Sequence, residues 1–197
     1  MEEKGNPKER IIKSAVELIY TFGFDAITIN QIIQVSQTHK ASFYRYFQNK
    51  EEVGRIYLQF QGHQFLENWK VLMSKSKSRE QFVMDWVYLI KRQIRKNTYH
   101  GCPIARFMAS SDKNKSSVEI AKKILQEWIN TLGDFFFSFE PHNLNEEIVS
   151  EKKVFWLGRA KQFMKIFQGN SELFIITYEL SYIEEMEKEM LGLLNVD

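Results

Sequence analysis

Apolar side chains recur along this chain at three- and four-residue intervals almost from end to end. Ile11, Ala15, Leu18, Ile19 and Phe22 fall at i, i+4, i+7, i+8 and i+11, one face of a helix. That helix opens behind Pro7, whose fixed φ suits a first helical position, and stops at Gly23. Thr28-x-x-Gln31 is a capping box that starts a second, short helix through Val35. Ser36-Gln37-Thr38 breaks the pattern, and a third short helix follows over about 39–46. A long helix is predicted over about 50–73, then the polar connection SKSKS at 74–78, then a helix over about 79–97. Gly101-Cys102-Pro103 marks a strong boundary before a short helix ending near Ser111, with SSDKNKSS at 110–117 as a polar loop. Further helices are predicted over about 117–138, 144–167 and 171–194, separated by Pro141-His142-Asn143 and Gln168-Gly169-Asn170. No strand-period segment of useful length and no internal repeat occurs. The predicted fold is all-α, about nine helices.

The third helix carries the densest aromatic run, ASFYRYFQNK at 41–50. On a wheel of 100° per residue, Phe43 and Phe47 share one face, the ordinary signature of core. Tyr44 and Tyr46 flank that face, where a ring half-buries while its hydroxyl reaches outward. Ala41, Ser42 and Arg45 occupy the opposite side, two small residues and one long cation. Lys40, Arg45 and Lys50 bring three positive charges and no acid to residues 38–50. Such a face suits an anion.

Three short helices with a break before the last follow helix-turn-helix logic. The second helix braces, and the third enters the DNA major groove with its N-terminal end first. Ala41 and Ser42 let the backbone approach the groove floor, and Arg45 reaches a guanine edge or a phosphate. Lys40, Tyr44, Tyr46, Lys50 and the capping Thr28 are placed to hold phosphates, which fixes register without reading sequence. Thr38 and His39, leading into the third helix, complete the predicted contact set. An aromatic platform for single-stranded bases would need several rings on one exposed face; here that face is Ala41, Ser42 and Arg45.

Composition narrows the rest. The 197 residues carry 44% apolar side chains, enough for a sizeable core, and a formal net charge of only +2, so any nucleic-acid affinity comes from a local patch. The single cysteine, Cys102, excludes an internal disulfide and a Cys-rich zinc site. His100 and Cys102 form an H-x-C pair with no further ligands at suitable spacing, so no metal is expected. The Glu184, Glu185, Glu187, Glu189 cluster reads as a solvated face. No nucleophile–base pair, phosphate loop or cofactor motif points to an enzyme. The charged start MEEKGNPKER lacks an apolar h-region, and no apolar run is long enough to span a bilayer, so a cytoplasmic protein with no membrane partner is expected.

Residues 10–55 resemble the N-terminal DNA-binding domain of TetR-family bacterial transcriptional regulators. The shared features are Arg10 through Ala15, Gly23-Phe24-Asp25-Ala26, Thr28 with Ile32, and Lys40-Ala41-Ser42-Phe43-Tyr44-x-Tyr46-Phe47-x-x-Lys50-Glu51. The chain departs from the family at the turn. Gln37 takes the usual glycine position, at a cost of about 1 kcal/mol if its φ is positive. His39 replaces a common serine, and Ile33 replaces a small alanine.

The resemblance implies a DNA-binding domain at 1–49 and a ligand-binding and dimerisation domain at 50–197. It also implies a repressor that binds a pseudo-palindromic operator in double-stranded DNA and releases it when a small-molecule inducer binds. The C-terminal part is rich in bulky side chains, which leave cavities when they pack irregularly. Phe60, His63, Trp69, Trp86, Phe107 and Trp128 are the candidate ligand contacts.

In 171–194, Ile176, Leu180, Ile183, Met186, Met190 and Leu194 form one stripe beside a second of Phe174, Ile175, Tyr178 and Tyr182. Helix 144–167 shows Trp156, Ala160, Phe163, Met164 and Phe167 on one side and Phe155 and Ile166 on another. These stripes are wider than one buried face needs, and the resemblance implies a homodimer through these two helices. The alternative is a helical small-molecule-binding protein or enzyme with a vestigial DNA-binding domain.

Overall fold

The computed structural model describes residues 6–109 and 114–195. Among them are nine helices and no strand: α1 Pro7–Phe22, α2 Ile29–Val35, α3 Lys40–Tyr46, α4 Lys50–Met73, α5 Arg79–Arg95, α6 Pro103–Met108, α7 Lys115–Phe137, α8 Glu146–Thr177 and α9 Ser181–Leu194. The predicted end of the sixth helix near Ser111 and the first half of the polar loop, 110–113, lie outside the described residues. The described chain forms two compact units, one within Met1–Gln64 and Cys102–Ile124, the other within Phe65–Gly101 and Leu125–Asp197. Helices α4 and α7 each run from one unit into the other.

The first unit packs α1, α2 and α3 around Ile11, Ala15, Ile19, Ile32, Phe43 and Phe47. Asn6 caps α1 by accepting a hydrogen bond from the Lys8 amide at 3.0 Å, and Pro7 takes the first turn. At the other end Gly23 adopts φ 89° and donates its amide to the Ile19 carbonyl at 2.9 Å. The Phe107 ring of α6 lies against Phe24, 4.9 Å between centroids, and stacks on Tyr57 at 5.6 Å. Gly54 of α4 makes this possible, because a Cβ there would stand 2.8 Å from Phe107 and 2.9 Å from Phe24. Tyr57 donates its hydroxyl to the Pro103 carbonyl at 3.2 Å. Burial pushes the Tyr57 phenol far above its usual range.

The second unit holds α5, α8, α9 and the remaining turns of α4 and α7. Its centre is a run of rings in which Trp69 meets Trp86 edge-on at 5.0 Å, Phe65 stacks on Trp128 at 4.3 Å, and Trp86 stacks on Phe163 at 5.5 Å. A polar clamp closes one end. Arg79 donates through Nε to the Phe136 carbonyl at 2.6 Å and through Nη2 to Glu140 at 3.1 Å, with its guanidinium 3.9 Å from the Trp156 ring centre. Glu140 also accepts from Trp156 Nε1 at 2.6 Å and pairs with Lys152 at 3.3 Å. Helix α9 packs on α8 and α5, and Lys91 of α5 pairs with Glu187 of α9.

Three boundaries differ from the sequence reading. Gln168-Gly169-Asn170 does not separate two helices; α8 runs straight through it. A glycine inside a helix costs only about 1 kcal/mol, and Asn170 turns its amide back to the Ile166 carbonyl at 3.1 Å instead of capping a new helix. The break comes eight residues later, where Tyr178 takes the left-handed conformation at φ 59° and donates to the Phe174 carbonyl at 2.7 Å. Helix α5 stops at Arg95 because Asn97, at φ 54°, forms a Schellman cap, Thr98 N–H to Gln93 O and Asn97 N–H to Ile94 O. Helix α7 starts at Lys115, two residues before its predicted start. The buried side of α8 is as predicted, with Trp156, Ala160, Phe163, Met164 and Phe167 all in the core. In the first stripe of 171–194 Ile183, Met186, Met190 and Leu194 are buried, whereas Ile176 and Leu180 are exposed; in the second Phe174 is buried and Tyr178 exposed.

Candidate nucleic-acid interface

Helix α2 begins where the sequence pattern places it. Thr28 Oγ1 accepts from the Gln31 amide at 3.2 Å, and Gln31 Oε1 accepts from the Thr28 amide at 2.7 Å, a reciprocal capping box. The helix ends in a second Schellman cap. Gln37 N–H reaches the Gln34 carbonyl and Thr38 N–H the Ile33 carbonyl, each at 3.1 Å. Gln37 sits at φ 50°, the left-handed region a glycine would occupy without strain, so the penalty of about 1 kcal/mol applies. Ser36 offsets part of it. Its buried hydroxyl donates to the Ile33 carbonyl at 3.1 Å and lies 2.8 Å from the Thr38 hydroxyl, tying both ends of the turn.

His39 is the N-cap of α3, is exposed, and makes no side-chain cap bond. Phe43 and Phe47 fasten the helix to its domain. Both are fully buried with centroids 5.5 Å apart, Phe47 having already left the helix for an extended conformation. Lys40, Ala41 and Arg45 are exposed and Ser42 is half-buried. Tyr44 keeps 49% of its surface exposed while its ring meets Phe43 edge-on at 5.3 Å, and Tyr46 is half-buried beside Phe47. Thr28 is exposed and Thr38 half-buried. The ten predicted DNA contacts thus lie on Thr28, the turn, α3 and the start of α4, all in the first unit.

Two features of this surface were not legible from residue types. Lys50 is half-buried with its ammonium 4.4 Å from the centre of the Phe24 ring, so it braces the domain as well as carrying charge. The first turn of α4 also holds its own carboxylates. Glu52 accepts from the Gln48 amide at 2.7 Å, while Asn49 accepts from the Glu52 amide at 2.9 Å. That reciprocal pair spans only positions 48–52, and a capping pattern beginning at Asn49 was its available signal.

The six candidate ligand contacts fall three in each unit. Phe60 and His63 are exposed on α4, and Phe107 is buried against Phe24 and Tyr57, all in the first unit. Trp69, Trp86 and Trp128 do come together, in the second unit, with Phe65 among them. Phe65 was not among the candidates, although it stacks directly on Trp128. The indole N–H of Trp69, a side chain 1% exposed, has no acceptor among the described residues. No group of three or more His, Cys, Asp or Glu among the described residues is placed to hold a metal ion, and none of the described helices is long and apolar enough to cross a membrane.

A bracing helix, a capped turn and a short helix with a small, basic outer face define a helix-turn-helix domain. Residues 11–55 match the sequence model of the bacterial regulatory proteins of the tetR family. Over those residues the chain is similar to the N-terminal domain of that family.

Among curated proteins, an uncharacterized HTH-type transcriptional regulator of Lactococcus lactis subsp. lactis is 30% identical over 111 residues, 52% of this chain and 54% of that protein. The HTH-type transcriptional regulator QacR of Staphylococcus aureus is 31% identical over 80 residues, 40% of this chain and 43% of QacR. The chain therefore spans about half the length of the curated relatives it matches. The fold extends further. Reduced NemR of Escherichia coli superposes with a TM-score of 0.76 at 16% identity, covering 95% of this chain and 97% of NemR. A TetR-family transcriptional regulator from Streptomyces coelicolor gives 0.77 at 15% identity, covering 95% of this chain and 94% of that one.

Proposed function

We propose that this chain is a DNA-binding transcriptional regulator, acting as a repressor that holds a pseudo-palindromic operator as a homodimer and releases it on binding a small molecule. The observation that carries the reading is the exposed strip of Lys40, Ala41 and Arg45 over buried Phe43 and Phe47, inside a segment that matches the tetR family. In this reading residues 1–49 read DNA, and residues 50–197 bind the ligand and pair with a second copy through α8 and α9. Ligand and DNA favour different spacings of the two reading heads, so each weakens the other's binding. Ligand capture is assigned first to the Trp69, Trp86 and Trp128 cluster. The unpaired Trp69 N–H supports this, since it is a buried donor a ligand oxygen would satisfy.

The test is a selection of bound duplexes from a random pool with the full-length chain, followed by a ligand screen for release. A two-fold-symmetric consensus with half-sites one helical turn apart, or a multiple of it, is expected. Recovery of unenriched sequence would overturn the proposal.

A further inference from the structure

A second basic stretch of the chain lies well outside the helix-turn-helix. Lys91, Arg92, Arg95, Lys96 and Arg106 are the charged residues from 86 to 109, five cations and no acid. Four of them crowd the C-terminal end of α5. Lys91 pairs with Glu187 of α9. Arg92, Arg95 and Lys96 are exposed and have no ion-pair partner among the described residues. Elsewhere Lys70 and Lys122 each meet a glutamate one turn away, at 2.8 and 2.9 Å. Here the neighbours one turn away are cations, Arg92 with Arg95 and Lys96, and like charges at that spacing weaken a helix.

Cations in a last turn can serve the helix itself, by bonding its free carbonyls or facing the negative end of its dipole. The bonding is already done by other groups. The Lys96 and Thr98 amides and the Thr98 hydroxyl reach the Gln93 carbonyl, and the Asn97 amide reaches the Ile94 carbonyl. The dipole amounts to about half a charge, less than three free cations supply. What remains is a surface that suits a polyanion.

We propose that Arg92, Arg95 and Lys96 grip DNA phosphates, a second nucleic-acid contact on a different element from α3. The inference rests on the DNA-binding reading above and adds a site to it. Both guanidinium groups carry planar forks that match phosphate oxygens. Tyr88 lies within about 60° of both on the helical wheel. It is 58% exposed, with the Arg95 guanidinium 5.9 Å from its ring centre, and adds a hydroxyl to the same face. Chain connectivity favours DNA over an acidic protein. Lys96 stands six residues before Cys102, which belongs to the unit that carries the helix-turn-helix. Six residues span at most about 20 Å, so the cluster is tethered to the unit that would hold a duplex. A phosphate contact of this kind adds affinity without reading sequence.

Fluorescence anisotropy of the full-length chain tests this, on the duplex enriched from the random pool and on a shuffled duplex of equal length. Arg92→Ala/Arg95→Ala/Lys96→Ala should make the slope of log K against log salt shallower by about two units, one phosphate for each of two subunits. Affinity at about 100 mM salt should fall at least tenfold on both duplexes, with the ratio between them unchanged. Arg92→Lys/Arg95→Lys keeps the charges and should keep the wild-type slope. A triple variant with the wild-type slope overturns the contact, turns the search to an acidic protein partner, and leaves DNA binding by α3 standing. A loss that the lysine pair shares, or one that also erases the preference for the enriched duplex, is structural and overturns it too. A wild type that binds neither duplex overturns the reading on which the contact rests.

Discussion

Arg45 and Lys50 look alike in the sequence, two cations five residues apart in one basic segment, and the structure gives them different work. Arg45 is exposed on the outer face of α3, whereas Lys50 is half-buried with its ammonium against Phe24. Replacing Lys50 would therefore disturb packing as well as charge. Lys40, fully on the exposed side, is the cleaner probe of a phosphate contact. Lys40→Ala should weaken binding to every duplex by a similar factor, because a phosphate contact carries no sequence information. Arg45→Ala should also flatten the preference at one base pair, by about 1–3 kcal/mol if the guanidinium reads a guanine edge. Competition assays against operator variants separate the two. Unchanged base preference in Arg45→Ala would remove that residue from readout and leave it a phosphate contact.

At the level of the elements, what was legible followed from local rules. The capping box at Thr28 and Gln31 and the stop at Gly23 depend on side chains a few residues apart, and both form as the pattern predicts. The end of α8 follows no such rule. Its left-handed residue is Tyr178, which carries no glycine or asparagine signal, while the Gly169-Asn170 pair that looks like a break sits inside the helix. Grouping of the tryptophans was equally hidden, since ring identity does not say which helix layer a ring will join.

The clamp of Arg79, Glu140, Lys152 and Trp156 joins residues 57 or more positions apart at its longest links, so no spacing rule announces it. Its energetics can be tested. Burial raises the Glu140 carboxyl, but the Trp156 and Lys152 hydrogen bonds and the nearby positive charges outweigh it and hold the group below its ordinary range. A carboxylate depressed in the folded state contributes stability above its unfolded pKa and loses it as pH falls through the folded value. Glu140→Gln should therefore cost about 2 kcal/mol at pH 7, the scale of hydrogen bonds to a charged group. The gap from wild type should narrow as pH drops below about 4, the unfolded carboxylate range. Urea denaturation at both pH values measures it; an equal gap at both would assign the loss to packing alone.

On the scale of the whole molecule, the charge distribution sets how the proposed regulator would hold DNA. A formal net charge of +2 over 197 residues gives almost no general attraction to a polyanion. The positive charge of the reading head is local, Lys40, Arg45 and Lys50 with no acid between residues 38 and 50. If each head of a dimer neutralises about three phosphates, the pair releases the counterions of about six, and log K falls with log salt at a slope near −5. Raising salt from about 50 to 200 mM should then weaken operator binding by roughly a thousandfold. Fluorescence anisotropy across that range gives the slope directly, and the slope should shrink by about one unit for each head-group lysine removed per operator complex. A monomer bound through one head would show half the wild-type slope, so this measurement also reports how many heads engage. A response flat in salt would mean that the basic face of α3 does not meet phosphates, and the helix-turn-helix would then be a scaffold without its usual ligand.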